Sequence, residues 1–341
     1  LTTWDTWVFA RPAWLERRGM MAGLTQPLPR RRLGRTGLEV TTLGLGGAGF
    51  GGATYGAVTD EEAVETVHAA IAGGITYIDT APLYGESERR LGLALRGIPR
   101  GEVVLSTKTG THPRWRGDYS AEATYRSVEN SLRLLGTDYI DLLLVHDPPD
   151  LTRPLGKGGA VEALEDLKRQ GVIRAIGLGV RGHALHREAI KSGRIDVVLT
   201  YLDYNLIRAT AADTILPLAE ARQVGVINGS PLAMGLLSGV DPEPYARDVL
   251  TWAGADQLRD VAAARDLWRW ARDRGIDLQA LALRFSLREP RIAATIVGAK
   301  TAAEVTRNIG AAAASLPDAV WAELAARPAG PSTPAGEEGG A

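Results

Sequence analysis

The sequence predicts an α/β fold, a (β/α)8 TIM barrel led by a small N-terminal β-hairpin, and three observations carry that expectation. From Leu43 onward, short apolar runs alternate with helix-patterned segments eight times over. The runs are continuously apolar rather than alternating, as suits parallel strands buried on both faces. Eight β–α units within 341 residues fit one closed barrel better than an open doubly wound sheet.

The elements follow in order. Residues 1–30 stand apart, with Trp4, Trp7, Trp14, the pair Arg17-Arg18, Met20-Met21, Pro27 and Pro29. No apolar core of roughly 7–15 residues follows the basic pair, so a secretory leader is not expected. The stretch reads as a poorly ordered extension, with Met20 or Met21 a candidate natural start and Arg30-Arg31-Arg32 a solvated patch. The barrel domain is expected over residues 31–327. Residues 33–40 read as a hairpin turning at glycine, and 43–46 as the first barrel strand. A glycine-rich loop, 46–52, follows. Thr59 with Glu62 has the form of a capping box, opening a helix whose Ala63, Val64, Val67, Ala70 and Ile71 share one face. Gly73-Gly74 ends it. The second strand, beginning at Ile75, stops at Asp79, and its loop carries Tyr84.

A helix is then expected over 88–95 and a strand over 103–107 running into Lys108. A helix over 119–135 has Ser120 as its cap. Strand 140–145 ends at His146. Helix 161–170 stops at Gly171. Strand 173–179 leads to helix 183–191, strand 197–200 to helix 213–222, and strand 225–228 to a helix over 277–287. Strand 294–297 precedes a helix over 301–312 and an additional one over 318–326. Residues 328–341, rich in Gly, Pro, Ala and Glu, are expected to be disordered.

Composition narrows the function. The chain is 45% hydrophobic, enough for a sizeable core, and its net charge of −1 supplies no basic excess for nucleic acid. It has no cysteine, which removes disulfides, thiolate metal sites and cysteine nucleophiles and fits a reducing, cytoplasmic setting. No run approaches the length of a membrane span. His68, His112, His183 and His186 lack metal-ligand spacing, so no metal is assigned.

The candidate chemistry lies where barrel strands end, because catalytic groups in such barrels sit at the C-terminal ends of several strands. Asp79 could be a plain helix cap, Lys108 a solvated lysine, and His146 a satisfied core histidine. Three adjacent strands nevertheless deliver Asp, Lys and His to one mouth, with Tyr84 in reach, which favours a shared site. A phenol is a poor proton-transfer group near neutrality. A nearby ammonium lowers its pKa, and a buried Lys108 would need Asp79 as counter-ion. A neutral His146 can orient a carbonyl oxygen. The set suits proton transfer at oxygen while a hydride moves at carbon, and that hydride must come from a cofactor.

Two loops suit phosphate oxygens: the one after strand seven, carrying Ser230, Pro231, Leu232 and Met234, and the one after strand eight, from Gly298, Ala299 and Lys300 to Asn308. The pattern Gly44-x-Gly46-x-x-Gly49 matches a dinucleotide fingerprint by letter only. No helix starts at its glycines, and Asp79 lies beyond the expected spacing, so 46–52 reads as a flexible rim loop.

Taken together, 77–85, Ser106-Thr107-Lys108, 142–147, Ser230-Pro231-Leu232 and 298–308 resemble the aldo-keto reductase family, over nearly all of residues 33–326. The resemblance implies Tyr84 as general acid/base, Lys108 and Asp79 tuning it, and His146 orienting substrate. It implies an extended nicotinamide dinucleotide over the barrel mouth, near Gly46 and Tyr201. Residues 199–205, 226–237 and 118–120 are most similar to the aldose 1-dehydrogenase group, L-galactose dehydrogenase among it, whose members oxidise an aldose such as L-galactose, L-fucose or a D-threo-aldose at C1 to the lactone. Two departures stand out. Gly177-Leu178-Gly179-Val180 replaces the Ser-Asn that often holds the carboxamide, and Tyr201 replaces a common Gln. Glu304 stands where NADPH-specific members often carry Arg; a carboxylate there would repel a 2′-phosphate, although Lys300 could compensate. NAD is therefore the expected cofactor, with NADP as the other option.

Substrate walls are expected near Phe50, Tyr55, Trp115 and Asp203, and around Tyr245 and Trp252. A small sugar or aldehyde, acted on by a monomer or small homo-oligomer, is the expected partner. Reduction of small aldehydes or ketones and oxidation of pyridoxal are the enzyme alternatives. A nucleotide-sensing regulatory barrel is the alternative of another class, and the complete set of four polar residues argues against it.

Overall fold

The computed structural model describes residues 27–52, 56–249 and 255–327. Most of the expected extension, Tyr55, Trp252 and the expected disordered tail lie outside those residues.

The hairpin pairs β1 (Arg30–Arg32) antiparallel with β2 (Glu39–Thr41). Eight parallel strands then close into a barrel. They are β3 (Leu43–Gly46), β4 (Tyr77–Asp79), β5 (Val104–Thr109), β6 (Ile140–His146), β7 (Ile173–Gly179), β8 (Val197–Tyr201), β9 (Gly225–Gly229) and β10 (Ala294–Gly298), with β10 pairing both β9 and β3. Closure leaves no barrel edge exposed.

Helices cover the outside: α1 (Asp60–Ala72), α2 (Ser87–Ala94), α3 (Ala121–Leu135), α4 (Thr152–Leu155), α5 (Ala160–Arg169), α6 (His183–Ser192), α7 (Ala211–Thr214) and α8 (Leu216–Ala221). After β9 come α9 (Pro242–Val249), α10 (Ala255–Arg272) and α11 (Leu278–Leu287); α12 (Ala302–Ala313) and α13 (Asp318–Ala325) follow β10. Thr59 and Glu62 close a reciprocal capping box on α1. The α9–α10 insertion was not assigned from sequence; with α11 and α13 it builds a satellite core around Leu237, Leu267, Trp270 and Leu281.

The arginine run is a solvated patch only in part, since Arg30 and Arg32 are exposed while Arg31 is half-buried. It forms β1, and Arg31 reaches the far end of the chain, where its guanidinium donates to the backbone carbonyls of Leu287, Glu289 and Ile292 at 2.5–2.8 Å. Those carbonyls close α11 and its turn, where a cation is favoured. The ordered hairpin therefore includes Arg30, one residue before the expected domain start. Leu33 and Val40 are fully buried and join Tyr77, Leu142, Leu144 and Ile227 inside the barrel. The hairpin thus plugs one end, packed against the start of β9 through Arg35 N–H to Gln223 O. The strands' C-terminal ends, where Asp79, His146 and Tyr201 fall, are left for the site. No helix among the described residues is long and apolar enough to cross a membrane.

Candidate active site

Strand pairing fixes the polar set. Asp79 ends β4 in register with Ser106 of β5, and side chains on one face of a strand recur every second residue, so Ser106 and Lys108 share a face. Lys108 Nζ donates to Asp79 Oδ2 at 2.6 Å and to the Thr80 carbonyl at 2.7 Å. Ser106 donates to the other oxygen, Oδ1, at 2.6 Å, and the Tyr77 hydroxyl lies 2.8 Å from Ser106 Oγ. Both partners of the ion pair are nearly solvent-free, with side chains 2% and 3% exposed. Lys108 Nζ sits 4.7 Å from the centroid of the Tyr84 ring, and the Tyr84 and His146 rings meet edge to face at 5.9 Å. The fold thus brings together Asp79, Tyr84, Lys108 and His146.

The electrostatics differ from expectation at Tyr84. Its phenol is pushed above the ordinary pKa of 10.0, because burial outweighs the pull of Lys108 and Asp79 adds to the rise. The ammonium is already neutralised by Asp79, so its field at the phenol is partly spent. On Lys108 itself, burial is the largest influence and acts downward, but Asp79 and Tyr84 carry the ammonium above its usual value. Burial, then the charges of Lys108 and Arg116, hold His146 well below 6.5, so the ring is neutral. His146 Nδ1 lies 2.7 Å from Thr111 Oγ1 and Nε2 lies 3.5 Å from Asp147. With Thr111 donating to Nδ1, the ring's one proton sits on Nε2, the tautomer the carboxylate also favours.

The glycine loop packs closely on its neighbour. Residues Gly47–Gly51 form a 3-10 turn pressed onto the loop of Tyr84. A Cβ on Gly51 would lie 2.4 Å from the Tyr84 carbonyl, and one on Gly85, at φ 53°, would lie 2.6 Å from the Gly51 carbonyl. Ser87 donates to the Gly47 carbonyl at 2.8 Å, and Arg90 to that of Phe50 at 2.5 Å.

Of the expected substrate walls, two move. Phe50 is fully buried in the main core, because the turn folds its ring inward. Asp203 is fully buried too; its carboxylate is engaged by Arg181 at 3.3 Å, His183 at 3.3 Å and Arg208 at 3.6 Å. A carboxylate removed from water needs cations such as Arg181 and Arg208, and it has no surface for substrate. Trp115 is half-buried and stacked on His112, ring centroids 3.7 Å apart.

The phosphate-suited loops do lie side by side, because β9 and β10 are neighbours. After β9 three non-glycine residues take left-handed backbone, Ser230 (φ 54°), Ala233 (φ 47°) and Met234 (φ 58°), and Tyr245 of α9 braces the loop by donating to the Met234 carbonyl at 2.9 Å. Such strained, tightly turned backbone collects at ligand sites. After β10, Gly298 is exposed with open space where a Cβ would project. Glu304 caps α12 by accepting from Lys300 N–H at 2.8 Å. These loops fit an extended dinucleotide laid across the mouth. Gly46, Ser230, Leu232, Met234, Lys300 and Glu304 are the partly exposed contributors; Pro231 and Ala299 are buried and offer backbone alone. Asn308 is a correction: it is 5% exposed, accepts from Gln279 at 2.7 Å and donates to the Gly298 carbonyl at 3.4 Å, so it shapes the loop rather than presenting an amide.

Sequence reasoning named Ser106 and Asp147 only as parts of strand-end motifs, without roles, and passed over Thr111. The two-residue period on β5 pointed to Ser106. Nothing local marked the role of Thr111 or of Asp147, which depends on the path of a loop.

An eight-stranded barrel with an Asp–Lys–Tyr–His cluster at the carboxyl ends of its strands defines a class of barrel oxidoreductases, and sequence comparison agrees. The model of the Aldo/keto reductase family matches residues 42–327. The chain belongs to the aldo-keto reductase family, oxidoreductases that use nicotinamide cofactors. It is 33% identical to L-galactose dehydrogenase of Arabidopsis thaliana, over 82% of this chain and 87% of the plant enzyme. It is 32% identical to D-threo-aldose 1-dehydrogenase of a Pseudomonas species, over 85% and 94%. A crystal structure from Pseudomonas aeruginosa assigned to the aldo-keto reductases superposes with a TM-score of 0.64 at 31% identity, covering 85% of this chain and 98% of that one.

Proposed function

We propose that the protein is an NAD(P)-dependent dehydrogenase that oxidises an aldose at C1 to the lactone, with Tyr84 as general acid/base. The observation that carries this reading is the buried Lys108–Asp79 pair set against the Tyr84 phenol. The sugar-oxidising names of two relatives support the substrate class.

A nicotinamide bound across the mouth would supply the hydride acceptor for C1. Tyr84 takes the proton of the anomeric hydroxyl. Lys108 stabilises the phenolate that must exist for that transfer, and Asp79, held on both oxygens by Lys108 and Ser106, fixes the lysine in place. His146, neutral and held by Thr111, directs Nε2–H at the same substrate oxygen. Because the phenol lies above its ordinary pKa, sugar oxidation should quicken toward alkaline pH, whereas carbonyl reduction, which needs the protonated phenol, should not. Glu304 at the start of α12 disfavours a 2′-phosphate, so NAD is preferred over NADP.

Initial rates with NAD and with NADP across L-galactose, L-fucose and D-threo-aldoses, set beside NADH- and NADPH-linked reduction of small aldehydes, test the reading. Sugar turnover yielding lactone is expected, and no turnover of any aldose with either nucleotide would sink it. Comparable kcat/KM for the two nucleotides would defeat the NAD preference. Tyr84→Phe should lower kcat by roughly 10²- to 10⁴-fold while NAD affinity, read by fluorescence titration, is kept. Unchanged turnover would refute the role of Tyr84.

A further inference from the structure

Asp147 follows His146 directly and takes no part in the proton transfer proposed above. Its backbone is left-handed, φ 43°, a conformation in which Asp and Asn are enriched among non-glycine residues. That conformation is held from three sides. Asp147 N–H donates to Gly179 O at 2.8 Å, and the Tyr119 hydroxyl donates to the carbonyls of His146 and Asp147 at 2.8 and 2.9 Å. The side chain is consequently aimed rather than free.

Its carboxylate is 38% exposed. One oxygen accepts from the Tyr201 hydroxyl at 3.1 Å, and the other lies 3.5 Å from His146 Nε2. Among the described residues these are a phenol and a neutral imidazole; Lys108 and Arg116 act on it only through space. A carboxylate has about four acceptor positions, so roughly half of them have no donor among the described residues. Burial raises its pKa, the mark of a carboxylate short of donors. It sits on the His146 side of Tyr84, where a substrate's reacting oxygen would be held, so the next donor it meets belongs to the atoms beside the reacting carbon.

We propose that Asp147 is a specificity-determining residue of this mouth, accepting a hydrogen bond from the hydroxyl on the carbon adjacent to the reacting one, with Tyr201 as the residue that positions it. The inference rests on the aldose reading for its natural substrate but not for its chemistry, since any 2-hydroxy aldehyde presents the same donor. A site built to accept from a hydroxyl disfavours the analogue that lacks it, because that hydrogen bond is then lost. The charge-assisted bond is directional and stronger than a neutral one.

The test compares substrate pairs that differ only in that hydroxyl: 2-hydroxypropanal against propanal with NADH, and an aldose against its 2-deoxy form with NAD. In Asp147→Gly, which suits the left-handed backbone, the ratio of kcat/KM for hydroxylated over deoxygenated substrate should fall on the order of 10- to 100-fold. Asp147→Asn should restore part of it, and Tyr201→Phe should lose a smaller share and serves if the Asp147 variants fold poorly. Equal losses for both members of each pair would make Asp147 merely structural and overturn the proposal. So would a tenfold weaker NAD affinity with an unchanged ratio, which would assign the carboxylate to the nicotinamide carboxamide. If no aldose is turned over yet the 2-hydroxypropanal preference collapses in Asp147→Gly, the aldose reading fails and the role of Asp147 stands.

Discussion

At the scale of single residues, the centre of the site is a buried ion pair that is useful only while both partners are present. Removing one partner of such a pair strands a charge in a dry interior and costs about 3–5 kcal/mol. Lys108→Met should therefore destabilise the fold by about that amount in urea unfolding, besides lowering turnover. Asp79→Asn combined with Lys108→Met should recover much of the stability but none of the activity. Equal stability of the single and double variants would show that the pair is not coupled. Asp79 and His146 were legible in the sequence because each ends an apolar strand, where a polar residue stands out, and Lys108 because it lies close behind an apolar run. Asp203 misled for the complementary reason: it also follows a barrel strand, but Arg181, His183 and Arg208 converge on it only in three dimensions. The same holds for Tyr84, whose pKa was expected to fall beside a lysine. How far burial raises it, and how far Asp79 has already neutralised that lysine, are facts of packing.

At the scale of elements, catalytic geometry depends on two loops leaning on one another. The turn Gly47–Gly51 approaches the Tyr84 loop so closely that a methyl group at Gly51 would collide with the Tyr84 carbonyl. Gly51→Ala should displace the phenol, and a misplacement near 1 Å can cost about 10²-fold in rate. Gly101→Ala, at a position with open space and ordinary backbone, is the control and should be silent. A kcat for Gly51→Ala within twofold of that control would show that the contact does not position Tyr84. The glycine run was visible in the sequence, but its meaning was not, since a loop that bends freely and a loop that lets two backbones touch use the same letters. The hairpin is a parallel case. Its strands begin three residues earlier than the glycine turn suggested, because Arg31 is ordered by carbonyls some 250 residues away in the chain.

At the scale of the whole molecule, the barrel holds His186 fully buried, its Nε2 2.8 Å from the Val180 carbonyl, and burial pushes its pKa down to about 4. Between that value and the ordinary 6.5 the unfolded chain binds a proton that the folded chain refuses. This contribution to stability is complete above about pH 6.5 and is lost as pH falls toward 4, at roughly 1.4 kcal/mol per pH unit. Between pH 7 and pH 5 it amounts to about 2 kcal/mol. His146 acts in the same direction. His186→Gln should lose correspondingly less stability than wild type over that interval in parallel thermal melts. An identical drop in both proteins would remove His186 from the account.

The sequence by itself determined the barrel. Continuous apolar runs, caps such as Thr59 with Glu62, and glycine stops are local signals, and eight of them in alternation admit few closed architectures. It also determined which strand ends carry polar side chains, because a period of two and an abrupt end to hydrophobicity can be read within a few residues. Only the tertiary structure decided what those side chains feel. It closed Asn308 inward, turned Phe50 into core, surrounded Asp203 with arginines, set Thr111 on His146 and set Tyr201 on Asp147. Each of these outcomes depends on distances between segments far apart in the chain, and on how much water is excluded between them. Neither quantity is written in any short stretch of residues.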